Sequence, residues 1–316
     1  MAKIKAPLFS LDAAGTLDKN ITYKKKLQDN IAQKYSQPGS KNPFESSPRQ
    51  KDQRSIIRLI TIHWQCMPNL EKLDWENSAK AARFKGTGYH YFLHMAQQDL
   101  TKYLGLVGYW SMNYNVGDKI PDLSGNGNHG TLSPIYPCDC PTLVDSFDKK
   151  HGKAALFNGS STYVTFTNLP YLNSSELTVM LYLEKYSYTT YHTTFSDWGS
   201  DPNKTLLIAH SYNPNQLTFQ IGTGSSYVSL LCSNIFFDNE LAHWSFVFKG
   251  STHMLIYKNS NLVAQKTDSI PSNINSTHGS IFLARLFGIY MNCFIDNFII
   301  FNKSLSHDEI KKLSII

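Results

Sequence analysis

The sequence predicts a mainly β protein: a two-sheet antiparallel jelly-roll sandwich preceded by an extended arm and a small three-helix module. Three observations carry this. After Leu104 the chain becomes a series of short β-rich runs separated by Gly, Asn, Ser and Pro clusters, the pattern of strands and turns. Between Gln50 and Leu104 the apolar residues fall at helical spacing. Before that, residues 36–49 (SQPGSKNPFESSPR) hold three prolines, which block continuous helix and favour an extended path. The expected division is an extended basic arm over 1–49, a small helical module over 50–104 and a sandwich over 105–316.

In chain order, the arm carries Lys19, Tyr23, Lys24, Lys25, Lys26, Lys34 and Tyr35 as its basic and aromatic contact residues. In the helical module Ile57, Ile60 and Trp64 share one helical face, Pro68 interrupts, and Leu70, Leu73, Asn77 and Lys80 continue at steps of three or four. Gly86-Thr87-Gly88 ends that second helix and Tyr89–Leu104 forms a third. Trp64, Trp75 and Tyr89 are expected to be the module's small core. Strands are expected near 106–111, 154–157, 163–167, 177–183, 205–209, 216–221, 227–231, 243–249, 253–258, 262–265, 280–284 and 293–301. Alternation is clearest in HWSFVFK, where Trp244, Phe246 and Phe248 share a face. Ser306-x-x-Glu309 is a capping box that starts a terminal helix. With its own strands and closing helix, 105–316 is expected to fold alone.

Composition narrows the function. Among 316 residues, 41% are apolar and 17% charged, which excludes a mostly disordered or coiled-coil chain. No apolar run reaches the roughly 18 residues of a membrane span, and the first residues lack a signal peptide's apolar core, so neither membrane insertion nor secretion is expected. Residues 1–104 carry a net charge of +8 and residues 105–316 a net charge of −2. Such a basic block fits contact with an acidic protein surface or nucleic acid, although no wedge residue or phosphate-binding loop favours the latter. The five cysteines, an odd number, read as reduced thiols. Cys138 and Cys140 lack the second pair that a tetrahedral metal site requires.

Candidate sites follow from residue chemistry. Retaining glycoside hydrolysis needs two carboxyls about 5–5.5 Å apart. Glu184, Asp197 and Asp296 are the acids nearest strands, and none has a second carboxylate two or four residues away on its own strand. No nucleophile-elbow, Walker or His-Glu-x-x-His pattern occurs, so no enzymatic activity is expected. Sugar recognition instead needs aromatic faces beside polar groups. The loop-like stretch EKYSYTTYHTTFSDWGSDPNK supplies Tyr186, Tyr188, Tyr191, His192, Asp197 and Trp198 as the candidate glycan surface; packing on a sheet or a neighbouring subunit is the competing reading.

GLVGYWSMN (105–113), IPDLSGNGNHGTL (120–132), KAALFNGSSTYVTF (153–166), HWSFVFKGSTHMLIYKNSNLVAQ (243–265) and FIDNFIIFNKSLSHDEIKKL (294–313) resemble, in order, the landmarks of laminin-G-like (concanavalin A-like lectin/glucanase) jelly rolls. The likeness covers nearly all of 105–316, though the Cys-Asp-Cys loop at 136–143 has no place in it. It implies a tight turn over Asp122–Gly127 and a structural Ca²⁺ with Asp296 and Asp122 as oxygen ligands. A hydrogen-bonded Asp296, needed because FIDNFII leaves its carboxylate among apolar neighbours, is the alternative.

The first hundred residues resemble a module of tailed-bacteriophage and related virion structural proteins. The shared elements are Gly15-Thr16, Lys34-Tyr35, Asn42-Pro43, Trp64, Glu71-Lys72-Leu73-Asp74-Trp75 and Gly86-Thr87-Gly88-Tyr89. The two likenesses together imply a non-enzymatic virion protein, in capsid or tail, anchored by its N-terminal third and displaying a lectin-like jelly roll for attachment to host glycans. Its implied partners are other virion proteins, copies of itself and a host surface glycan. The rival is a lectin-like carbohydrate-binding protein in which the N-terminal third only attaches it; a DNA-binding N-terminal module ranks below both.

Overall fold

A computed structural model of the chain describes residues 15–17, 21–26, 29–34, 48–100, 104–134, 140–146, 152–167, 169–171, 174–185, 192–200, 202–210, 216–233, 240–275, 277–278 and 280–314. The contacts divide it into two compact units, Met1–Ser47 and Pro48–Ile316.

In the first unit β1 (Gly15–Leu17), β2 (Ile21–Lys26) and β3 (Asp29–Lys34) form an antiparallel sheet in that order. This corrects the expectation of an extended arm. The prolines that argue against regular structure all follow β3. Ile21, Thr22 and Tyr23 suit a pleated ladder, and only two residues separate β2 from β3, the spacing of a tight hairpin. Tyr23, Lys24, Lys25 and Lys26 stand on β2 and Lys34 on β3; Lys19 and Tyr35 lie outside the described residues.

The second unit opens with the three expected helices, α1 (Pro48–Cys66), α2 (Asn69–Ala81) and α3 (Gly88–Gln98). Pro68, which lacks an N–H, separates α1 from α2. Thr87 caps α3, its hydroxyl accepting from the His90 N–H while the His90 ring accepts from the Thr87 N–H. Trp64 and Trp75 pack on Phe92 with ring centroids 5.6 and 5.0 Å away, and the Tyr89 hydroxyl lies 2.9 Å from that of Thr61.

Two eight-stranded antiparallel sheets follow. One runs β17 (Asn261–Lys266), β16 (His253–Lys258), β15 (Leu241–Lys249), β10 (Glu176–Lys185), β21 (Asn292–Phe301), β8 (Lys153–Asn158), β7 (Thr142–Asp145), with β4 (Leu106–Trp110) also paired to β21. The other runs β14 (Tyr227–Ser233), β13 (Gln216–Gly224), β12 (Lys204–His210), β11 (His192–Trp198), β18 (Ser280–Leu283), β9 (Tyr163–Phe166), β6 (Gly130–Ser133), β5 (Lys119–Ile120). A two-stranded ribbon, β19 (Arg285–Leu286) with β20 (Ile289–Tyr290), stands apart. The architecture is the predicted mainly β sandwich. Between the sheets Val179, Leu181, Trp244, Phe246 and Phe248 meet Phe195, Ile208 and Phe219.

The first sheet is buried on its other face as well. Tyr109, Met180, Val247, Ile299 and Phe301 form a second core with Leu59, Ile60, Phe92 and Ala96 of the helices and with Ile310 and Leu313 of α4 (His307–Leu313). α4 starts at the expected capping box, Ser306 with Glu309. The helices are therefore a third layer laid on the sandwich, and the division expected at Leu104 falls instead between Ser47 and Pro48. β21 carries the signature of this double burial: seven of the ten residues of NCFIDNFIIF are apolar, broken at the centre by Asp296-Asn297, as strands covered on both faces are rich in apolar residues.

His243 on β15 lies on the helix-covered face beside Tyr182, ring centroids 5.1 Å apart. Burial pushes its pKa down to about 3, and its Nδ1 has no partner. An unfolded chain protonates this histidine near pH 6.5, the folded one only near 3, so the stability it contributes at neutral pH is lost as pH falls through that window. A His243→Phe variant should match the parent at pH 8 and exceed it by about 2 kcal/mol at pH 5 in urea unfolding. The same difference at both pH values would refute the assignment.

Candidate functional site

The Asp122–Gly127 turn forms as its glycines and asparagines predict, with Gly125 and Gly127 at φ of +87° and +74°. Asp122 organises it. Its Oδ1 accepts from the N–H groups of Tyr109 (3.1 Å) and Ser124 (2.9 Å), and its Oδ2 from the Ser124 hydroxyl (2.8 Å) and the Asn128 N–H (3.0 Å). Asn126 and Asn128 donate side-chain amides to the Val107 carbonyl at 2.9 and 3.0 Å, and the Trp110 indole donates to the Asn128 carbonyl at 2.8 Å. The turn is thus fastened to β4 by protein donors, and both Asp122 oxygens are fully engaged.

Asp296 does not join it. Its carboxyl accepts from the Ser146 hydroxyl (3.1 Å) and the Asn297 N–H (2.7 Å), and burial lifts its pKa well above the carboxylate range. The calcium site expected from Asp122 and Asp296 is therefore not assembled. Each carboxyl is met by its own donors, and no cluster of three metal-ligating side chains occurs among the described residues. Asn297, at φ +47°, is the extra residue of a bulge between β10 and β21, and its side-chain oxygen accepts from the Tyr109 hydroxyl at 2.9 Å.

The bulge has a consequence for carboxyl pairing. Tyr182 opposes Asp296 and Glu184 opposes Phe294, so Glu184 and Asp296 share one face of adjacent strands. Both line a cavity of about 110 Å³ with Asp145 and Ser146. Burial raises the pKa of Glu184, and its Oε2 has no partner. Searching along single strands misses this pair because it forms across two. Among the described residues this cavity is well below the roughly 300 Å³ at which small-molecule sites begin.

The expected glycan surface is overturned where it is described. Tyr186, Tyr188 and Tyr191 lie outside the described residues. His192, Asp197 and Trp198 belong not to a loop but to β11, an interior strand with 8%, 0% and 7% exposure at these positions. The His192 ring lies 2.9 Å from the Tyr290 carbonyl, and Trp198 clusters with Leu207, Ala209 and Leu286. Asp197 Oδ2 receives the Tyr171 hydroxyl at 2.6 Å and meets His278 Nδ1 at 2.5 Å. This pair has the orientation of a general-base dyad, but His278 Nε2 is enclosed with no hydrogen-bond partner. Its evident role is to compensate a buried carboxylate.

The described surface offers a larger concavity elsewhere. A groove of about 580 Å³ lies between α1, the end of α3 and the connections flanking β5. Asp52 stands in its lining at 4% exposure; its Oδ1 accepts from the Ser111 hydroxyl (2.7 Å) and the Asn113 amide (2.8 Å), and its Oδ2 has no partner. Burial raises the Asp52 pKa against the pull of those two donors. Gln53, Gln97, Gln98 and Tyr114 add polar groups to the walls, Ile56 and Leu123 apolar ones. Residues from four separated segments compose it, so no local motif marks it.

Residues 158–311 match the Laminin_G_3 family, described as the concanavalin A-like lectin/glucanases superfamily. No curated protein sequence matches the chain. The binding domain of Paraclostridial Mosquitocidal Protein 1 is similar in structure, with a TM-score of 0.51 at 15% identity over 66% of this chain and 51% of that one. The present chain thus spans about half the length of that relative. Domain 4 of AbnA, a GH43 extracellular arabinanase from Geobacillus stearothermophilus, in complex with arabinotriose, is similar at a TM-score of 0.51 and 20% identity, over 66% of this chain and 98% of that domain. At these identities the likeness is one of fold, and with the match over 158–311 it supports a concanavalin A-like, laminin-G-like jelly roll in the C-terminal part of the chain.

Proposed function

We propose that the chain is a non-enzymatic glycan-binding protein whose jelly roll, with its helical layer, is the recognition module. The observation that carries this is the concanavalin A-like sandwich over 158–311, a fold whose neighbours include the binding domain of a mosquitocidal protein and an arabinanase domain in complex with arabinotriose. The Glu184–Asp296 cavity, at about 110 Å³, is small for a glycoside, which is why hydrolysis at that pair is not part of this reading.

The finer reading places the protein in a virion. Met1–Ser47 would attach it to other virion proteins and the second unit would face outward toward host glycans, in a symmetric homo-oligomer. Its support is the sequence likeness of the first hundred residues and their net charge of +8 up to Leu104, together with the separation of the contacts at Ser47. The test has two arms. The intact chain should bind oligosaccharides on a glycan array, and a chain lacking residues 1–47 should still bind them yet fail to enter particles. Silence on the array removes the glycan reading; normal incorporation of the shortened chain removes the anchor.

A further inference from the structure

We propose that the groove between α1, α3 and the Asp122–Gly127 turn is a binding site for neutral saccharides, anchored by the Asp52 carboxylate. This rests on the glycan-binding reading above and gives that reading a location. The groove's volume of about 580 Å³ falls within the roughly 300–1,000 Å³ of small-molecule sites.

Its chemistry selects the ligand. Asp52 is 4% exposed with Oδ2 unpartnered, and an enclosed acceptor without a donor is costly to the folded protein. A saccharide hydroxyl supplies that donor. Gln53 and Gln97 offer amides that both donate and accept, as vicinal hydroxyls require. Tyr114 and the apolar Ile56 and Leu123 suit the C–H face of a pyranose. No Lys, Arg or His lines the groove among the described residues, so the described lining pairs the Asp52 carboxyl with neutral polar groups and favours a neutral ligand over an anionic one.

The test uses the intact chain and an array of neutral, sialylated and amino-sugar oligosaccharides. The parent should bind neutral glycans. Gln97→Trp, at an exposed position, should fill the groove and weaken that binding at least about tenfold at unchanged Tm. Asp52→Asn, which removes the charge and keeps the shape, should do likewise, and Gln97→Trp keeps the test decisive if that variant misfolds. Equal neutral-glycan binding by parent and Gln97→Trp overturns the groove assignment and leaves the glycan reading standing. Binding confined to amino sugars or sialylated glycans overturns the ligand class. No binding by the parent removes both proposals.

Discussion

Replacing Asp122 with alanine should cost about 4 kcal/mol of folding stability, because it strips the acceptor from three backbone N–H groups and one hydroxyl, each worth roughly 1–3 kcal/mol when left unpaired. The lower end of that range applies since the turn's tip is open to water, with Gly125 and Gly127 exposed. The loss should spread beyond the turn. Asn126 and Asn128 fasten it to β4, and the Trp110 indole depends on the Asn128 carbonyl for its donor contact. Asp122→Asn keeps one acceptor oxygen and should lose about half as much. Chelation supplies the contrast. With EDTA the parent should unfold at an unchanged Tm, whereas a calcium-held turn would lose Tm on chelation and would be the better account.

Removing the helices should have the larger effect. Tyr109, Met180, Val247, Ile299 and Phe301 are each at most 3% exposed beneath the helical layer. Uncovering a buried side chain of this size costs roughly 1.5–3 kcal/mol, so five of them amount to on the order of 10 kcal/mol, comparable to the whole stability of about 5–15 kcal/mol of a typical domain. A chain beginning at residue 105 should therefore aggregate or show molten spectra, contrary to the autonomy that its own strands and capping box imply. A chain beginning at Pro48 should unfold in one transition, with helical circular dichroism and tryptophan fluorescence coincident. Two separated transitions, or a cooperative fold without residues 48–104, would show the helices to be a detachable domain.

The sandwich was legible because its strands follow elementary rules. Trp244, Phe246 and Phe248 alternate, Gly125 and Gly127 permit a left-handed turn, and Ser306 with Glu309 caps α4. The misses share a physical cause, which is that composition reports polarity and not burial. β11 reads as a solvent loop because His192, Thr193, Thr194, Ser196 and Asp197 are polar, yet all five are buried and several are satisfied by partners distant in sequence, such as Tyr171 and His278 for Asp197. The boundary at Leu104 follows the change in charge and periodicity, while the contacts ignore both, since the apolar stripe of α1 needs the outer face of β10 and β21. The acidic pair was hidden in another way. Glu184 and Asp296 are 112 residues apart and come to share one face and one cavity only through the antiparallel register and the bulge at Asn297. For the groove, Asp52 gives no signal in a helix otherwise rich in basic and polar residues.

The central claim is that glycan recognition resides in Pro48–Ile316, helices and jelly roll together, with Met1–Ser47 serving only attachment. Calorimetric titration of the tightest oligosaccharide from the array into the intact chain and into residues 48–316 tests it most directly. The account predicts one site per chain and the same Kd for both proteins. A Kd at least about tenfold weaker for residues 48–316, with its fold intact by circular dichroism, would place part of the binding surface in the first unit and contradict the account.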